Sequence, residues 1–386
     1  MFNILFSLVP QMTSIKKPVC DSCITSQDIL RTFPLRGHQE CQVYCSGSKS
    51  LANNMASLHK QTYKLNRISV IIVNWNGEQF LEQCLNALLA QTVRPYEIIL
   101  VDNASSDASL EIARRFASVR LIELDHNAGF AQGNNLAIKA ADAGSEWIAL
   151  LNPDAFADPR WLEMLLGAAK SKPEYAVFGS KLVNATDPTL LDGAGDVYHL
   201  SGLVWRMNHG SPALTSVEQP REIFSPCAAA ALYRRSALLE MGGFDEDYFC
   251  YVEDVDLGFR LRLAGYRCLY VPSSIAHHIG SGTTGGQHSN FSVYHGHRNL
   301  VWTFIKNMPG ILFWLLLPIH ILLNLVSVAY FSMRGQSKII FAAKGDAIKG
   351  IPKMWRKRSD IQSHRKASLM TIWRILDKRL WLKNKY

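Results

Sequence analysis

The chain has 386 residues, 48% apolar and 19% charged, a composition that excludes a disordered protein and allows one large domain or two modest ones. Its formal net charge of +9 indicates an anionic partner. Residues 332–386 hold 15 Lys or Arg and 3 Asp or Glu, a net of +12, so the remainder carries −3 and the main domain is not expected to bind nucleic acid.

The first 66 residues show little periodicity and contain two cysteine pairs with a histidine nearby. These residues are Cys20, Cys23, Cys41, Cys45 and His38. Thiolate pairs at such spacings can bind zinc, so the segment is either a small zinc-binding unit or a poorly ordered extension. A start of translation further along, for example at Met55, is a third alternative.

From Ile68 onward, strand and helix patterns alternate. The β-branched run Ile68–Val73 predicts a strand buried on both faces, and apolar residues at helical spacing predict a helix over Glu78–Ala90. The pattern continues with strands at Glu97–Val101, Val119–Leu124 and Trp147–Leu151, and helices at Ser109–Phe116 and Ala131–Ala141. This alternation predicts an α/β fold with a parallel sheet, whose ligand lies beyond the carboxyl ends of the strands.

A polar cluster follows each of these four strands. The clusters are Asn74–Gly77, Asp102–Asp107, Asn127–Asn135 and Asn152–Asp154. One such cluster alone is more often turn chemistry, but four at the same edge of a sheet predict a ligand site. Asp107 has a second interpretation, favoured here, as the N-cap of the helix that follows it.

The order of these clusters resembles the family 2 glycosyltransferases with the GT-A fold, and among them the rhamnosyltransferase-type members of bacterial polysaccharide synthesis. The resemblance covers about residues 68–304 and implies a Rossmann-like mixed sheet that binds a nucleotide-sugar donor. Asp102 would accept a hydrogen bond from the nucleotide base, and Arg298 would clamp the diphosphate unless it forms a surface salt bridge. The donor-binding residues implied are Asn74, Asn76, Asp102, Asn103, Gly129, Asn134 and Arg298.

A metal site is implied by the same resemblance. Asn152-Pro153-Asp154 stands where the family has an Asp-x-Asp motif, so Asp154 is the expected ligand of Mg²⁺ or Mn²⁺. The cation would offset the charge that builds on the leaving nucleoside diphosphate. His277 and His278 fall where relatives have a loop that reaches the metal, and the Gly-x-Gly that follows favours His278 slightly.

Two adjacent carboxylates open a predicted helix that begins within Tyr251–Arg260. Acidic residues stabilise helix N-termini, so simple capping is one explanation for them. The resemblance instead implies that Asp254 is the catalytic base, which takes the proton of the acceptor hydroxyl. Glu253 would then orient the acceptor or tune the base.

The apolar stretch Ile311–Phe331 has 21 residues without a charge, enough to span a membrane. A single span would place the basic C-terminus outside, against the positive-inside tendency. A monotopic or re-entrant helix with a basic, Trp-containing tail better suits the cytoplasmic face of the inner (plasma) membrane. The alternative is a core helix followed by a disordered tail. The tail's tryptophans are Trp355, Trp373 and Trp381.

The sequence therefore predicts a GT-A domain over residues 67–305, a membrane-associated helix over 306–335 and a basic amphipathic tail over 336–386. By resemblance, the reaction is inverting transfer of a sugar, such as L-rhamnose from dTDP-rhamnose, to a hydroxyl of a lipid-linked saccharide. One alternative is a sugar-phosphate nucleotidyltransferase, which the absence of Arg and Lys from Asn74–Gly77 disfavours. The other is a non-catalytic membrane scaffold.

Overall fold

The structure is a computed structural model in which residues 67–213, 218–280, 286 and 288–379 are described. These residues belong to one compact unit. The predicted zinc-binding or poorly ordered segment, residues 1–66, lies outside the described residues, as does Trp381.

A mixed sheet forms the centre of the fold. Its strands, with a separate two-stranded hairpin made by β8 and β9, are β1 Ile68–Asn74, β2 Glu97–Asp102, β3 Val119–Glu123, β4 Trp147–Leu151, β5 Ala155–Ala157, β6 Val177–Asn184, β7 Leu191–Gly193, β8 Asp196–Tyr198, β9 Val204–Arg206, β10 Arg221–Ile223, β11 Ala230–Arg234 and β12 Cys268–His278. The helices are α1 Glu78–Leu89, α2 Ser109–Arg114, α3 Gly129–Ala140, α4 Trp161–Ser171, α5 Arg235–Glu240, α6 Glu253–Leu263, α7 Asn290–Asn307, α8 Gly310–Met333, α9 Ser337–Ser363 and α10 Leu369–Ile375.

The strand order along the sheet is β10-β12-β6-β11-β4-β1-β2-β3. Strands β4, β1, β2 and β3 are parallel, which confirms the part of the sheet predicted from the alternating pattern. Strand β11 lies antiparallel between β4 and β6, so the complete sheet is mixed, as the GT-A resemblance implied.

Both faces of the sheet are buried. Ile68, Val70 and Ile72 of β1 pack in one apolar cluster, which includes α1 and α4, while Ile71 and Val73 pack in another, which includes α3 and α6. Successive strand residues point to opposite faces, so a continuous apolar run places one helical layer on each side.

Strand β12 contains Pro272 and both histidines, although the resemblance placed the histidines in a loop. The strand continues to His278, with a register shift between Val271 and Ile275. A proline cannot donate to the ladder, so it is accommodated at this irregularity. Because the histidines are adjacent in a strand, His277 and His278 point to opposite sides of the sheet.

The C-terminal helices are part of the compact unit, which corrects the alternative of a disordered tail. Helix α9 packs along α7 and buries Ile340, Ala343, Ala347 and Met354. The Trp302 indole N–H donates to the Ala347 carbonyl at 3.0 Å. Seven of the 15 Lys or Arg residues counted in this region lie on this helix.

Candidate active site

A cavity of about 320 Å³ lies at the carboxyl edge of β1–β4. Each of the four predicted polar clusters contributes a wall residue, namely Trp75, Asn103, Asn127 and Asn152. The clusters therefore meet where the strand pattern placed them. The opposite wall comes from the β8–β9 hairpin, the segment before β11 and the start of α6.

Asp154 and His278 face each other in this cavity. The His278 Nε2 lies 3.3 Å from the Asp154 Oδ1, and its Nδ1 lies 2.8 Å from the Asp192 Oδ2. Both side chains are buried, and Nε2 has no hydrogen-bond partner among the described residues. Histidines that bind metals commonly donate their other ring N–H to a carboxylate, as His278 does to Asp192.

These donors fit a divalent cation. A carboxylate oxygen and an imidazole nitrogen are ligands that Mn²⁺ accepts, and Mg²⁺ needs as few as one or two carboxylates beside phosphate oxygens. Burial alone would lower the pKa of His278, but the carboxylates of Asp154 and Asp192 raise it to about 9. An imidazole must be neutral to bind a metal, so a cation bound at Nε2 would displace the proton whose affinity these carboxylates raise.

Glu253 and Asp254 occupy another wall, at the start of α6. The Asp254 Oδ2 accepts from the Ala228 N–H at 3.1 Å, and its Oδ1 accepts from the Val255 N–H at 2.8 Å. Burial raises the pKa of Asp254, although these amides and Arg206 oppose the shift. Burial and the Asp254 charge also raise the pKa of Glu253.

A strained loop delivers these carboxylates. Phe249, Tyr251 and Val252 have φ values of 64°, 66° and 69°, which bulky residues rarely adopt. Asn299 Nδ2 donates to the carbonyls of Tyr248, Cys250 and Tyr251, while Arg298 Nη2 donates to Asp247 and Tyr248. Such strain persists only where the surrounding structure fixes it, and here α7 does so.

Comparison with known proteins agrees with this arrangement. Residues 69–242 match the sequence model of the family described as Glycosyl transferase family 2. Over 252 residues the chain is 32% identical to the N-acetylglucosaminyl-diphospho-decaprenol L-rhamnosyltransferase of Mycobacterium tuberculosis. The matched region covers 59% of this chain and 81% of that protein. The chain belongs to glycosyltransferase family 2.

It is rhamnosyltransferase-like within that family. Rhamnosyltransferase WbbL of Escherichia coli K12 is 31% identical over 224 residues, 55% of the chain and 83% of that protein. A solved structure of GalNAc-T7 with UDP, GalNAc and Mn²⁺ superposes with a TM-score of 0.49 and 18% identity, over 62% of this chain and 48% of that one.

The donor-binding residues predicted for this glycosyltransferase divide into two groups. Asn103 and Gly129 line the cavity, and the Asn103 Nδ2 donates to the Gly129 carbonyl at 3.3 Å. The others do not line it. Asn74 Nδ2 donates to the buried Asp102 carboxylate at 3.0 Å, and Asn76 Oδ1 accepts from the Ser106 N–H. Asn74, Asn76 and Asp102 therefore connect two loops behind the cavity wall. Asn134 Nδ2 donates to the Phe130 carbonyl within α3.

The structure contradicts two predicted side-chain positions, that of Arg298 at the donor diphosphate and that of His277 at the metal. Arg298 does not reach the cavity, because its guanidinium is bonded to backbone carbonyls and stacked 4.4 Å from the Trp302 ring. His277 points away from Asp154, and its Nε2 lies 3.2 Å from the Asp158 Oδ1. Arg298 thus supports the strained loop of the transferase, and His278 alone of the pair faces Asp154.

Sequence reasoning missed three charged residues of the transferase site, Asp192, Asp196 and Arg206. Asp192 holds His278, and both Asp196 and Arg206 line the cavity. Arg206 is the one Arg or Lys among the described lining residues. The spacing Asp192-Gly-Ala-Gly-Asp196 was the available signal, because two acids separated by glycines are unusual in an otherwise apolar stretch.

Proposed function

We propose that this glycosyltransferase moves a sugar, L-rhamnose from dTDP-rhamnose, to a hydroxyl of a lipid-linked saccharide with inversion. One observation carries the proposal: the Asp154–His278 pair and the carboxylates of Glu253 and Asp254 face one cavity, in which several buried polar atoms have no hydrogen-bond partner among the described residues. Buried polar atoms are normally hydrogen-bonded, so the four without a partner among the described residues favour a polar ligand. They are Asn103 Oδ1, Asn152 Oδ1, Glu253 Oε2 and His278 Nε2.

The donor and acceptor classes rest on the relatives. The name of the Mycobacterium tuberculosis protein specifies L-rhamnose transfer to a saccharide on a diphospho-decaprenol lipid. The match spans most of that protein, so the same substrate classes are proposed here. Cell-surface polysaccharide synthesis is the process in which such a product is used.

The chemistry follows from the position of Asp254. Its carboxylate takes the proton of the acceptor hydroxyl while the hydroxyl oxygen attacks the anomeric carbon of the donor. The bond from that carbon to the phosphate oxygen breaks, and the nucleoside diphosphate leaves with the electron pair. Attack from the face opposite the leaving group inverts the anomeric centre. Asp154 and His278 would hold Mg²⁺ or Mn²⁺, which would neutralise charge on the leaving diphosphate.

The remaining predicted residues act less directly in this scheme. Asn103 and the backbone of Gly129 contact the donor from the cavity wall. Asn74, Asn76, Asp102 and Asn134 shape that wall from behind. Asp102 accepts hydrogen bonds from the Ser105 N–H and hydroxyl, and the residue is only 1% exposed.

The test is donor binding by calorimetry and slow donor hydrolysis, with Mn²⁺ or Mg²⁺ and a panel of nucleotide sugars. Wild type is expected to bind one donor, and both Asp154→Ala and His278→Ala to weaken metal-dependent binding roughly 10- to 100-fold. His277→Ala is the matched control, since its ring faces Asp158. No donor binding by wild type would refute the proposal, and equal losses in both histidine variants would refute the ligand assignment.

We also propose that the enzyme binds the cytoplasmic membrane surface without spanning it. Among the described helices, α8 is the one long and apolar enough to cross a membrane. The middle of α8 is held against the catalytic body on one side. His320 Nδ1 donates to the Ser201 carbonyl at 2.8 Å, and the His320 ring stacks on Phe304. Lys344 of α9 donates to Asn324 on the same helix α8. A span would carry these polar contacts and the attached domain into hydrocarbon.

The other side of α8 is apolar and exposed. Helix α9 extends this face with Phe341, Ile348 and Trp355, which are seven residues apart and therefore lie on one side. Trp314 and Trp355 have ring centroids 6.5 Å apart, so the two exposed faces are continuous. Exposed basic residues accompany the face, as anionic lipid requires. They are Arg334, Lys338 and Arg356.

Flotation with vesicles that contain anionic phospholipid tests this face. The double variant Leu322→Glu/Trp355→Glu is expected to weaken vesicle binding more than tenfold, because burying one large apolar side chain is worth about 1.5–3 kcal/mol. Leu239→Glu, on an exposed leucine of α5, is the control and is expected to bind like wild type. Unchanged flotation of the double variant, or a change in its oligomeric state instead, would refute membrane docking.

A further inference from the structure

The segment from β7 to β9 places three charged side chains between the two halves of the active site. Asp192 is the middle residue of β7, Asp196 begins β8, and Arg206 ends β9 directly opposite Asp196 across the hairpin. The Arg206 Nη1 lies 2.5 Å from the Asp192 Oδ2, and its Nε lies 3.8 Å from the Asp196 Oδ1. One guanidinium therefore contacts both carboxylates.

Each of these carboxylates also faces one catalytic element. The Asp192 Oδ2 accepts hydrogen bonds from both Arg206 Nη1 and His278 Nδ1, the latter at 2.8 Å. The carboxylates of Asp196 and Asp254 lie within 4.8 Å of each other. A continuous set of charges thus runs from the side that would hold the metal to the side that would take the proton.

We infer that Arg206 is a positioning residue of the transfer reaction, which fixes Asp192 behind His278 and Asp196 beside Asp254. This inference rests on the proposed function of the same cavity. Cys227 completes a group with Asp196 and Asp254 whose geometry could hold a metal ion, but Arg206 already supplies the positive charge that such an ion would bring. The hairpin thus serves the catalytic carboxylate and is not a second metal centre.

A glycine makes room for the Arg206 side chain. A Cβ at Gly193 would lie 2.1 Å from the Arg206 Cγ and 2.2 Å from its Cδ, well inside van der Waals contact. These atoms form the stem of the side chain, so the whole side chain would have to move. Gly193→Ala therefore displaces the guanidinium without changing any charge.

Several groups besides Arg206 set the proton affinity of Asp254. Glu253 on its own helix, Asp196 on β8, Cys227 before β11 and Tyr233 on β11 all face it electrostatically. The cation of Arg206 lowers the pKa of Asp254 against burial. Burial and Asp254 together raise the pKa of Asp196 to about 8, and Arg206 again opposes the shift.

The experiment is the pH dependence of kcat/KM in the full-length enzyme. Arg206→Met is expected to move the acidic limb upward by roughly one pH unit, because the ionised base loses its neighbouring cation. Gly193→Ala is expected to move it in the same direction, and Arg206→Lys to restore most of the wild-type position. Asp196→Asn removes an anion, so its limb is expected at or below that of wild type. Asp187→Asn, at an exposed residue shortly before β7, is the control.

A second readout does not depend on activity. Because its pKa is raised on folding, Asp196 destabilises the protein progressively from about pH 4 to about pH 8 relative to a neutral side chain. Asp196→Asn is therefore expected to raise the melting temperature, and most strongly above pH 8.

Several outcomes would overturn the inference. The inference fails if the acidic limb of the pH profile in both Arg206→Met and Gly193→Ala coincides with that of wild type. It also fails if these variants raise KM without moving the limb, since that result indicates direct contact between Arg206 and the substrate. A lower melting temperature for Asp196→Asn above pH 8 would also contradict it. Wild type that is inactive with every donor would instead refute the proposed function, while the melting comparison would still report on Asp196.

Discussion

Replacement of Asp254 by asparagine is expected to lower kcat by about 10²- to 10⁴-fold, the usual contribution of a general base. The amide oxygen can still accept from the Ala228 N–H, so the side chain keeps its place, but the amide cannot take the acceptor proton. Donor affinity is expected to stay within about twofold, because only the transition state uses this group. Steady-state kinetics with a titrated donor, alongside calorimetric donor binding, measure the two effects separately.

Glu253→Gln is the matched comparison for this variant, since the two carboxylates are adjacent and both line the cavity. A smaller loss is expected for Glu253→Gln, because burial and the Asp254 charge raise the pKa of Glu253 and so keep it a poorer ionised base at neutral pH. A larger loss in Glu253→Gln than in Asp254→Asn would transfer the role of base to Glu253. Wild-type kcat in Asp254→Asn would eliminate that residue as the base.

The first half of the fold could be predicted because its elements have enough residues to show a period. Strand β1 is seven residues long and buried throughout, and α1 repeats its apolar positions over three turns. The second half could not, since β7, β8 and β9 have three residues each and show no alternation. The antiparallel position of β11 depends on which neighbours it meets, which a local pattern does not encode.

The site divides in the same way. The resemblance to family motifs pointed to Asp154, Glu253 and Asp254, and the structure places all three at the cavity. Side-chain direction was not predictable: β12 continues past Pro272, and this extra length decides that His278 and not His277 faces Asp154. Arg298 belongs to a recognisable sequence motif, but only the structure shows that its guanidinium donates to the backbone carbonyls of Asp247 and Tyr248.

The charge of the C-terminal region gives a further example. The composition showed the excess of Lys and Arg, but the partners of these residues lie far away in sequence. Lys357 of α9 pairs with Asp245 and Asp247, and Lys353 also pairs with Asp247. Part of the basic charge thus holds α9 on the catalytic body, and the proposed contact with anionic lipid rests on exposed residues such as Lys338 and Arg356.

The largest effect on stability is expected two residues beyond Asp254, at Asp256. This carboxylate is 0% exposed and accepts from Lys306 Nζ at 2.7 Å, Arg260 Nε at 2.9 Å and Asn307 Nδ2 at 2.7 Å. Asp256→Ala leaves a buried ammonium and a buried guanidinium with fewer partners, and is expected to lower the free energy of unfolding by about 3–5 kcal/mol. Urea unfolding measures the loss, and Lys349→Met, which breaks an exposed pair with Asp346, is expected to cost less than about 1 kcal/mol.

The pH dependence of this contribution has a definite sign. Burial would raise the pKa of Asp256, but Lys306 and Arg260 outweigh it and hold the pKa below its ordinary value of 3.8. Its stabilisation is therefore present above that value and is lost as the pH falls through the lowered pKa. Asp256→Ala and wild type should accordingly converge in stability in strong acid, and a difference that persisted there would contradict the ion-pair explanation. Asp254→Asn is expected to show the reverse combination, with a folded protein and little activity, since the same helical turn carries one carboxylate for the reaction and one for the fold.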